Sequence, residues 1–452
     1  MTTETAPLVE SPASLHALIE KIDARAARVG VIGLGYVGLP LVLLFAESGF
    51  EVTGFDVDPK KAQALNAGES YIRHIDASRI RAAFVDHTRA SASIDFEQLA
   101  SCDAIIICVP TPLGDHREPD LSYVRATADA IAKTLRRGQL MILESTTYPG
   151  TTREELLPRF EAGGLTCGRD FFLAFSPERE DPGNESYSAK TIPKVVGGVD
   201  GPSLKAAAAL YGAVVDHVVP VASAEVAESA KLLENIFRSV NIALVNELKV
   251  VFDRMGIDIW EVIDAAKTKP FGFMPFEPGP GLGGHCIPLD PFYLTWKAAE
   301  HGVWARFIEL AGEVNTSMPR YVVEKTAAAL NDAGKSMKGA RVLVLGLSYK
   351  AGIDDDRESP SFEILALLRA RGAETAYCDP NIPVARPGRK HDLHLASVAC
   401  TRRSFAEYDA IVISTAHAEF KEPDLYRDAR IVVDTRNIVS AASVMSGRLY
   451  KA

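Results

Sequence analysis

The stretch Glu277-Pro-Gly-Pro-Gly-Leu-Gly-Gly-His-Cys-Ile-Pro-Leu-Asp290 is dense in glycine and proline and carries one cysteine, Cys286. Glycine at this density lets backbone approach another group closely. The prolines and the apolar run Pro291-Phe-Tyr-Leu-Thr-Trp296 predict a rigid loop rather than a floppy linker. Cys286 on such a loop is a candidate nucleophile, with Asp290 four residues on; the competing reading is an inert cysteine packed beside a turn. Glu228, Lys231 and Asn235 fall on one face of a predicted helix, either as a solvated stripe or as a lysine and an amide turned into a cleft. Glu178 sits just past an apolar strand, Phe171 to Phe175, and is a candidate carboxylate at a strand end; its competing reading is a solvated loop acid.

This set of residue types suits an aldehyde that must be carried on to an acid. A thiolate adds to the carbonyl, a hydride leaves the adduct, and water cleaves the resulting thioester. Lys231 and Asn235 would meet the developing oxyanion, while Glu178 and Asp290 would manage protons or water. Such chemistry needs a hydride acceptor, and the chain supplies a place for one. Arg28-Val-Gly-Val-Ile-Gly-Leu-Gly-Tyr-Val-Gly-Leu-Pro40 runs from a predicted strand into a helix through Gly33, Gly35 and Gly38. The first glycine makes the turn, the second admits a pyrophosphate, and the third lets helix and strand pack closely. A second strand ends in Asp56, 23 residues after Gly33, and that acid can accept hydrogen bonds from the ribose of NAD and repel the 2′-phosphate of NADP. The competing reading is an incidental tight turn.

The elements that position these groups follow from the pattern. The composition of residues 1–12 predicts no regular element, and residues 13–26 read as a short amphipathic helix. Unbroken apolar runs at Cys102–Cys108 and Leu140–Leu143 predict buried parallel strands. They place Pro110 and Thr111, and Ser145 and Thr146, at a carboxyl edge. From Ser223, an N-cap, a helix almost free of glycine and proline reaches Met255, followed by a helix through Ala266 and helices over about 292–332. At Gly339 the chain repeats its own beginning: Arg341 to Lys350 echoes Arg28 to Gly35, Glu374 to Asp379 echoes Glu51 to Asp56, and Tyr408 to Ser414 echoes Cys102 to Cys108. The second copy lacks the full glycine triplet, so it is not expected to hold a dinucleotide in the same way. Arg357, in the polar loop Asp354 to Pro360, is expected to be free to meet a phosphate. The expected fold class is α/β: two Rossmann-like doubly wound domains joined by a long central helix and a helical middle domain. The expected boundaries are an N-terminal segment 1–26, then 27–221, 222–335 and 336–452.

Composition excludes several classes. At 452 residues about three domains are expected. A formal charge of −10 argues against a general nucleic-acid surface, though not against a small anionic ligand. The six cysteines show no metal-ligand spacing and read as reduced thiols of a cytoplasmic protein. The N-terminal residues carry no apolar signal segment, and no apolar run reaches the length of a membrane span.

Over about residues 28–450 the sequence also resembles the UDP-glucose/GDP-mannose dehydrogenase family. The resemblance is carried by Gly33-Leu-Gly-Tyr-Val-Gly-Leu-Pro40, Ser176-Pro-Glu178, Glu228-x-x-Lys231-x-x-x-Asn235, Gly283-Gly-His-Cys-Ile-Pro-Leu-Asp290 and Asp356-Arg-Glu-Ser-Pro360. It implies an NAD-binding N-terminal domain, a helical dimerisation middle, a C-terminal UDP-sugar-binding domain and a homodimer or dimer-based oligomer. It implies a four-electron oxidation of a sugar C6 alcohol to a carboxylate with two NAD. By that pattern Cys286 is the nucleophile, Lys231 and Asn235 stabilise the oxyanion, and Glu178, Asp290 and Thr146 handle water and protons. The cofactor contacts implied are Gly33, Gly35, Tyr36, Val37, Gly38, Asp56, Pro110, Thr111, Ser145, Thr146 and Arg357. The substrate contacts implied are Glu178, Arg179, Lys231, Asn235, Phe271, Gly283 and Lys350. Within the family, Glu144 to Thr152, Ser176 to Asn184, Ile192 to Gly198 and Lys269 to Phe273 are most like the UDP-N-acetylglucosamine 6-dehydrogenases of bacterial O-antigen and capsule pathways. UDP-glucose and UDP-N-acetylgalactosamine are the alternative substrates. Two departures stand out: His285 precedes the cysteine where UDP-glucose enzymes commonly have serine, and no arginine occurs from Lys269 to Phe273 to serve as a cross-subunit clamp.

Overall fold

The structure is a computed structural model that describes residues 12–72, 75–114, 118–179, 188–284, 286–387 and 391–452, the side chain of Cys286 excepted. The readings made above for residues 1–11, for 180–184 and for His285 lie outside the described residues. The chain divides into two compact units, Met1–Leu233 and Glu234–Ala452.

The first unit is built on an eight-stranded sheet. Its strands are β1 (Arg28–Ile32), β2 (Glu51–Phe55), β3 (Ala90–Ser93), β4 (Ala104–Ile107), β5 (Leu140–Leu143), β6 (Phe172–Phe175), β7 (Lys194–Gly198) and β8 (Val218–Val221). They lie in the order β3-β2-β1-β4-β5-β6-β7-β8. Every pairing is parallel except β6 with β7. The central strands β4, β5 and β6 are buried along their whole length, which is why they read as continuous apolar runs. Strand order reverses between β1 and β4, and the glycine loop after β1 lies at that switch point, where doubly wound sheets bind ligands. The predicted N-terminal helix forms over Ala13–Asp23 and buries Leu15, Leu18 and Ile22.

The second unit carries an all-parallel sheet of β9 (Arg341–Leu345), β10 (Glu374–Cys378), β11 (Ala410–Ile413), β12 (Ile431–Asp434) and β13 (Arg448–Lys451), in the order β10-β9-β11-β12-β13. The internal repeat extends to hydrogen bonds. Asp103 accepts from the N–H of Arg28 at 3.1 Å, and Asp409 accepts from that of Arg341 at 2.8 Å. Asp56 accepts from Leu34 N at 2.9 Å, and Asp379 from Leu347 N at 2.7 Å.

A single helix runs over Ala224–Met255, as its lack of helix breakers predicts. Shorter helices span Ile259–Ala266, Cys286–Glu300 and Arg306–Asp332. Among the described residues no helix is long and apolar enough to cross a membrane. Two expectations are corrected. Cys286 does not sit within a loop: its backbone opens the Cys286–Glu300 helix, so Cys286 and Asp290 are one turn apart. Nor are all the cysteines reduced. Cys378 closes β10 and pairs with Cys400, because the return chain brings their Cα atoms to 5.7 Å, within disulfide reach.

Candidate active site

In the first unit the three glycines divide their work. Gly33 has φ +94°, and a Cβ there would strike the carbonyl of Cys108; one on Gly38 would strike the carbonyl of Gly33. A Cβ on Gly35 would meet nothing within 4 Å, so the loop backbone there faces open space that a ligand can enter. Tyr36 and Val37 are partly buried and pack on the core under this loop. Asp56 stands at the end of β2. Its Oδ2 accepts from Leu34 N and from Lys61 Nζ, both at 2.9 Å, and its Oδ1 from Asp58 N at 3.0 Å. Burial alone would raise its pKa, but Lys61 and the two N–H donors hold it below the usual carboxylate range. These residues fit the diphosphate and ribose of NAD.

The neighbouring edge loops are stitched together. Thr111 Oγ1 donates to the carbonyl of Thr146 at 2.7 Å, and Ser145 Oγ to that of Val109 at 2.7 Å. So Pro110–Thr111 and Ser145–Thr146 meet as expected from the strand edges. One carboxylate that sequence reasoning left without a role braces this region. Glu228, only 1% exposed, accepts from Gly150 N at 2.6 Å, Thr152 N at 2.9 Å and Thr152 Oγ1 at 2.7 Å. Burial outweighs these donors and pushes its pKa up to about 7.

Lys231, one turn after Glu228, is 9% exposed and, among the described residues, makes no ion pair and no side-chain hydrogen bond. A buried ammonium without an anion is a costly arrangement that a ligand's oxygen would relieve. Glu178 is not a solvated loop acid: its side chain is 14% exposed and lies 3.6 Å from Lys194 Nζ. Arg179 donates its N–H to Glu178 Oε1 at 2.6 Å, and its guanidinium donates to the carbonyl of Pro193 at 2.7 Å.

In the second unit the buried Asn235 and Asp290 are joined, with Asn235 Nδ2 donating to Asp290 Oδ2 at 2.6 Å. The glycine-proline stretch is held at both ends. Gly279 N donates to Asn246 Oδ1 at 2.9 Å, and Asn246 in turn bonds Asn315. Gly284 N donates to the carbonyl of Arg357 at 3.0 Å. A Cβ on Gly283 would press on Tyr349 and Pro360, so the glycines here serve close packing against the loops after β9. Lys350 lies half-buried beside Tyr349. The expectation that Arg357 stands free is corrected: its guanidinium forks onto Asp355, with Nε 2.9 Å from Oδ1 and Nη2 2.6 Å from Oδ2. The acid two residues away holds it in this fork, with the guanidinium side chain still 48% exposed. Phe271 is 71% exposed and packs only under Lys269 among the described contacts. Sequence reasoning also passed over Arg436, which donates to the carbonyl of Ser414 at 2.8 Å and lies against Gly279. Its signal was available: it follows the acid that ends β12, at a carboxyl edge.

Comparison with known proteins identifies the family. Three domain models of the UDP-glucose/GDP-mannose dehydrogenase family match: the NAD binding domain over residues 27–215, the central domain over 225–317 and the UDP binding domain over 343–441. The chain belongs to this family. It is an NAD-binding oxidoreductase of the UDP-sugar dehydrogenase class. It is 37% identical over 396 residues to a UDP-N-acetyl-D-glucosamine 6-dehydrogenase of Pseudomonas aeruginosa, covering 87% of this chain and 91% of that one. An NDP-N-acetyl-D-galactosaminuronic acid dehydrogenase of Ralstonia nicotianae is 34% identical, covering 94% and 99%. Among solved structures, a UDP-D-ManNAc dehydrogenase from Pyrococcus horikoshii superposes with a TM-score of 0.82 at 32% identity, covering 93% of this chain and all of that one.

Proposed function

We propose that the protein oxidises the C6 alcohol of UDP-N-acetylglucosamine to the carboxylate in two steps on one enzyme. The observation that carries this reading is the buried Asn235–Asp290 hydrogen bond one helical turn beyond Cys286. A simple alcohol dehydrogenase has no use for a cysteine one helical turn before a carboxylate that is paired to a buried amide. NAD supplies the chemistry of accepting a hydride in each oxidation. Cys286 adds its thiolate to the aldehyde carbon, giving a thiohemiacetal and later a thioester. Lys231 and Asn235, one turn apart on the Ala224–Met255 helix, donate to the oxygen as it gains charge. Asp290 takes the proton released there, and Glu178, with Thr146, directs water at the thioester. Cys286 then leaves as the thiol and the product carries both oxygens of a carboxylate. Arg179, Gly283, Lys350 and Phe271 are assigned to the UDP-sugar, and Arg436, against Gly279, joins them.

The assignment of the N-acetylglucosaminyl substrate is supported by the 37% relative of that name. The relative named for an N-acetylgalactosaminuronic acid, which matches 94% of the chain, favours UDP-N-acetylgalactosamine as the second reading. The test is NADH yield per mole of each UDP-sugar, with the product weighed by mass spectrometry. Two NADH per uronate, none from Cys286→Ala, and the highest kcat/KM for UDP-N-acetylglucosamine are expected. One NADH per sugar and a free aldehyde, unaffected by Cys286→Ala, would overturn the reading.

We further infer a homodimer. Phe237, Leu244 and Val251 are exposed at seven-residue spacing along the long helix, with Met255 beyond them. This is the pattern of a helix face that packs on another.

A further inference from the structure

Four titratable side chains crowd the carboxyl edges of β5 and β6, and the reaction described above uses only one of them. Lys194 Nζ lies 2.9 Å from Glu144 Oε2 and 3.6 Å from Glu178 Oε2. Tyr211 donates its hydroxyl to the other oxygen of Glu144 and also lies under the Lys194 ammonium. Glu144, Lys194 and Tyr211 are all buried. The Cys108 thiol also faces Lys194. Glu144 is supplied by the end of β5, Glu178 by the residues after β6, Lys194 by the start of β7 and Tyr211 by the Gly201–Gly212 helix.

The one reversed strand makes this meeting possible. β7 runs antiparallel to β6 in the register Ala174↔Gly198, Phe175↔Gly197. Continued past the strand end, that register sets Lys194 opposite Glu178. In an all-parallel sheet the first residue of β7 would lie at the far edge. Lys194 stays charged there: burial would lower its pKa, but Glu144 and Glu178 together raise it. One ammonium therefore serves two carboxylates. It bonds closely to the one with no part in the reaction and stands off from the one assigned to water.

We propose that Lys194 is a positioning residue for Glu178, aiming that carboxylate, and that Glu144 limits how tightly it does so. This rests on the reading of Glu178 as the group that directs water at the thioester. Without Glu144, Lys194 would close fully on Glu178 and blunt it as a base. Without Lys194, Glu178 would keep the N–H of Arg179 but lose this cation, and its anion would be disfavoured.

The test is the pH dependence of kcat for NADH formation by the full-length protein with NAD and its best UDP-sugar. Glu144→Gln is expected to move the acidic limb to lower pH by about one unit, and adding Lys194→Met to that variant to move it back to higher pH by at least as much. The double variant removes the Glu144–Lys194 charge pair together, so it keeps the test open if Lys194→Met alone fails to fold. Carbon-13 NMR of the glutamate carboxylates without substrate, with Glu178→Gln used to assign the signal, should show the same opposed shifts. A uniform loss of activity at every pH with unmoved limbs, or limbs that move in the same direction, overturns the proposal. Glu178→Gln separates the two levels. If it abolishes the limb while the Glu144 and Lys194 variants leave it in place, only the positioning role falls; if it keeps the wild-type limb, the assignment of Glu178 falls as well.

Discussion

Asn235 and Asp290 are locked together at 2.6 Å in the interior, an amide from the long helix donating to a carboxylate from the helix that Cys286 opens. The bond fixes the distance between these helices at one point. It also fixes the amide: with one N–H committed to Asp290, the remaining N–H is directed elsewhere by the planarity of the group.

Asn235→Ala should therefore lower stability as well as activity. Removing the donor from a buried carboxylate costs about 1–3 kcal/mol, read as a lower urea midpoint. Asn235→Asp should fare worse at pH 8 than at pH 5, because two carboxylates at this spacing repel until one takes a proton. Equal midpoints at both pH values would contradict the pairing.

Glu228 gives a pH dependence of a known sign. Its folded pKa is raised, to about 7, by burial. A raised carboxyl favours the folded state below its unfolded pKa, and the benefit is lost as pH climbs through the folded value. Wild type should thus lose on the order of 3 kcal/mol relative to Glu228→Gln between about pH 4.5 and pH 8. Urea melts of both proteins at pH 5, 6, 7 and 8 would show whether the difference narrows as pH rises.

The glycine loop predicts a separation of stability from binding. Gly38→Ala should lower the melting temperature, since its Cβ would collide with the Gly33 carbonyl. Gly35→Ala meets nothing in the protein and should melt within about a degree of wild type while binding NAD at least about tenfold more weakly. Calorimetric titration with NAD distinguishes the two.

Asp56 predicts cofactor choice. Asp56→Ala should weaken NAD and narrow the preference over NADP by about tenfold, because the 2′-phosphate would then meet Lys61 without its acid. The ratio of kcat/KM for the two dinucleotides reads this directly.

The exposed helix face predicts the assembly. Leu244→Asp with Val251→Asp should convert a dimer into a monomer on light scattering, since two buried charges disfavour a helix–helix contact. A wild-type monomer at micromolar concentration would remove the inference.

Much of the framework was legible because it rests on local pattern. Unbroken apolar runs announced β4, β5 and β6, and the echo of Arg28 to Ile32 in Arg341 to Leu345 announced the second sheet. What stayed hidden depended on partners distant in sequence or on a weak local code. β3 is Ala-Ser-Ala-Ser, with little β preference of its own, and exists because β2 offers it a ladder. The reversal of β7 leaves no trace in composition, so Lys194, 50 residues from Glu144, could not be foreseen as its partner. The Cys378–Cys400 bond spans 22 residues and was hidden for the same reason. Arg357 was misjudged in the opposite sense: its partner Asp355 was in plain view, and the loop folds back tightly enough to use it.

Asp56 and Asp379 hold equivalent places in the two sheets but differ in what surrounds them. Each aspartate ties the loop after its own first strand through a backbone N–H. Asp56 otherwise accepts from the N–H of Asp58 and from the partly exposed Lys61 side chain. Asp379 is surrounded instead: Ser348 N, His417 Nε2 and the N–H groups of Asn381 and Ile382 all lie on its oxygens, in the interior. A ribose hydroxyl would have to displace a ring of fixed donors to be recognised there. At this place in the second sheet the carboxylate is a keystone of the fold rather than an acceptor open to a ligand.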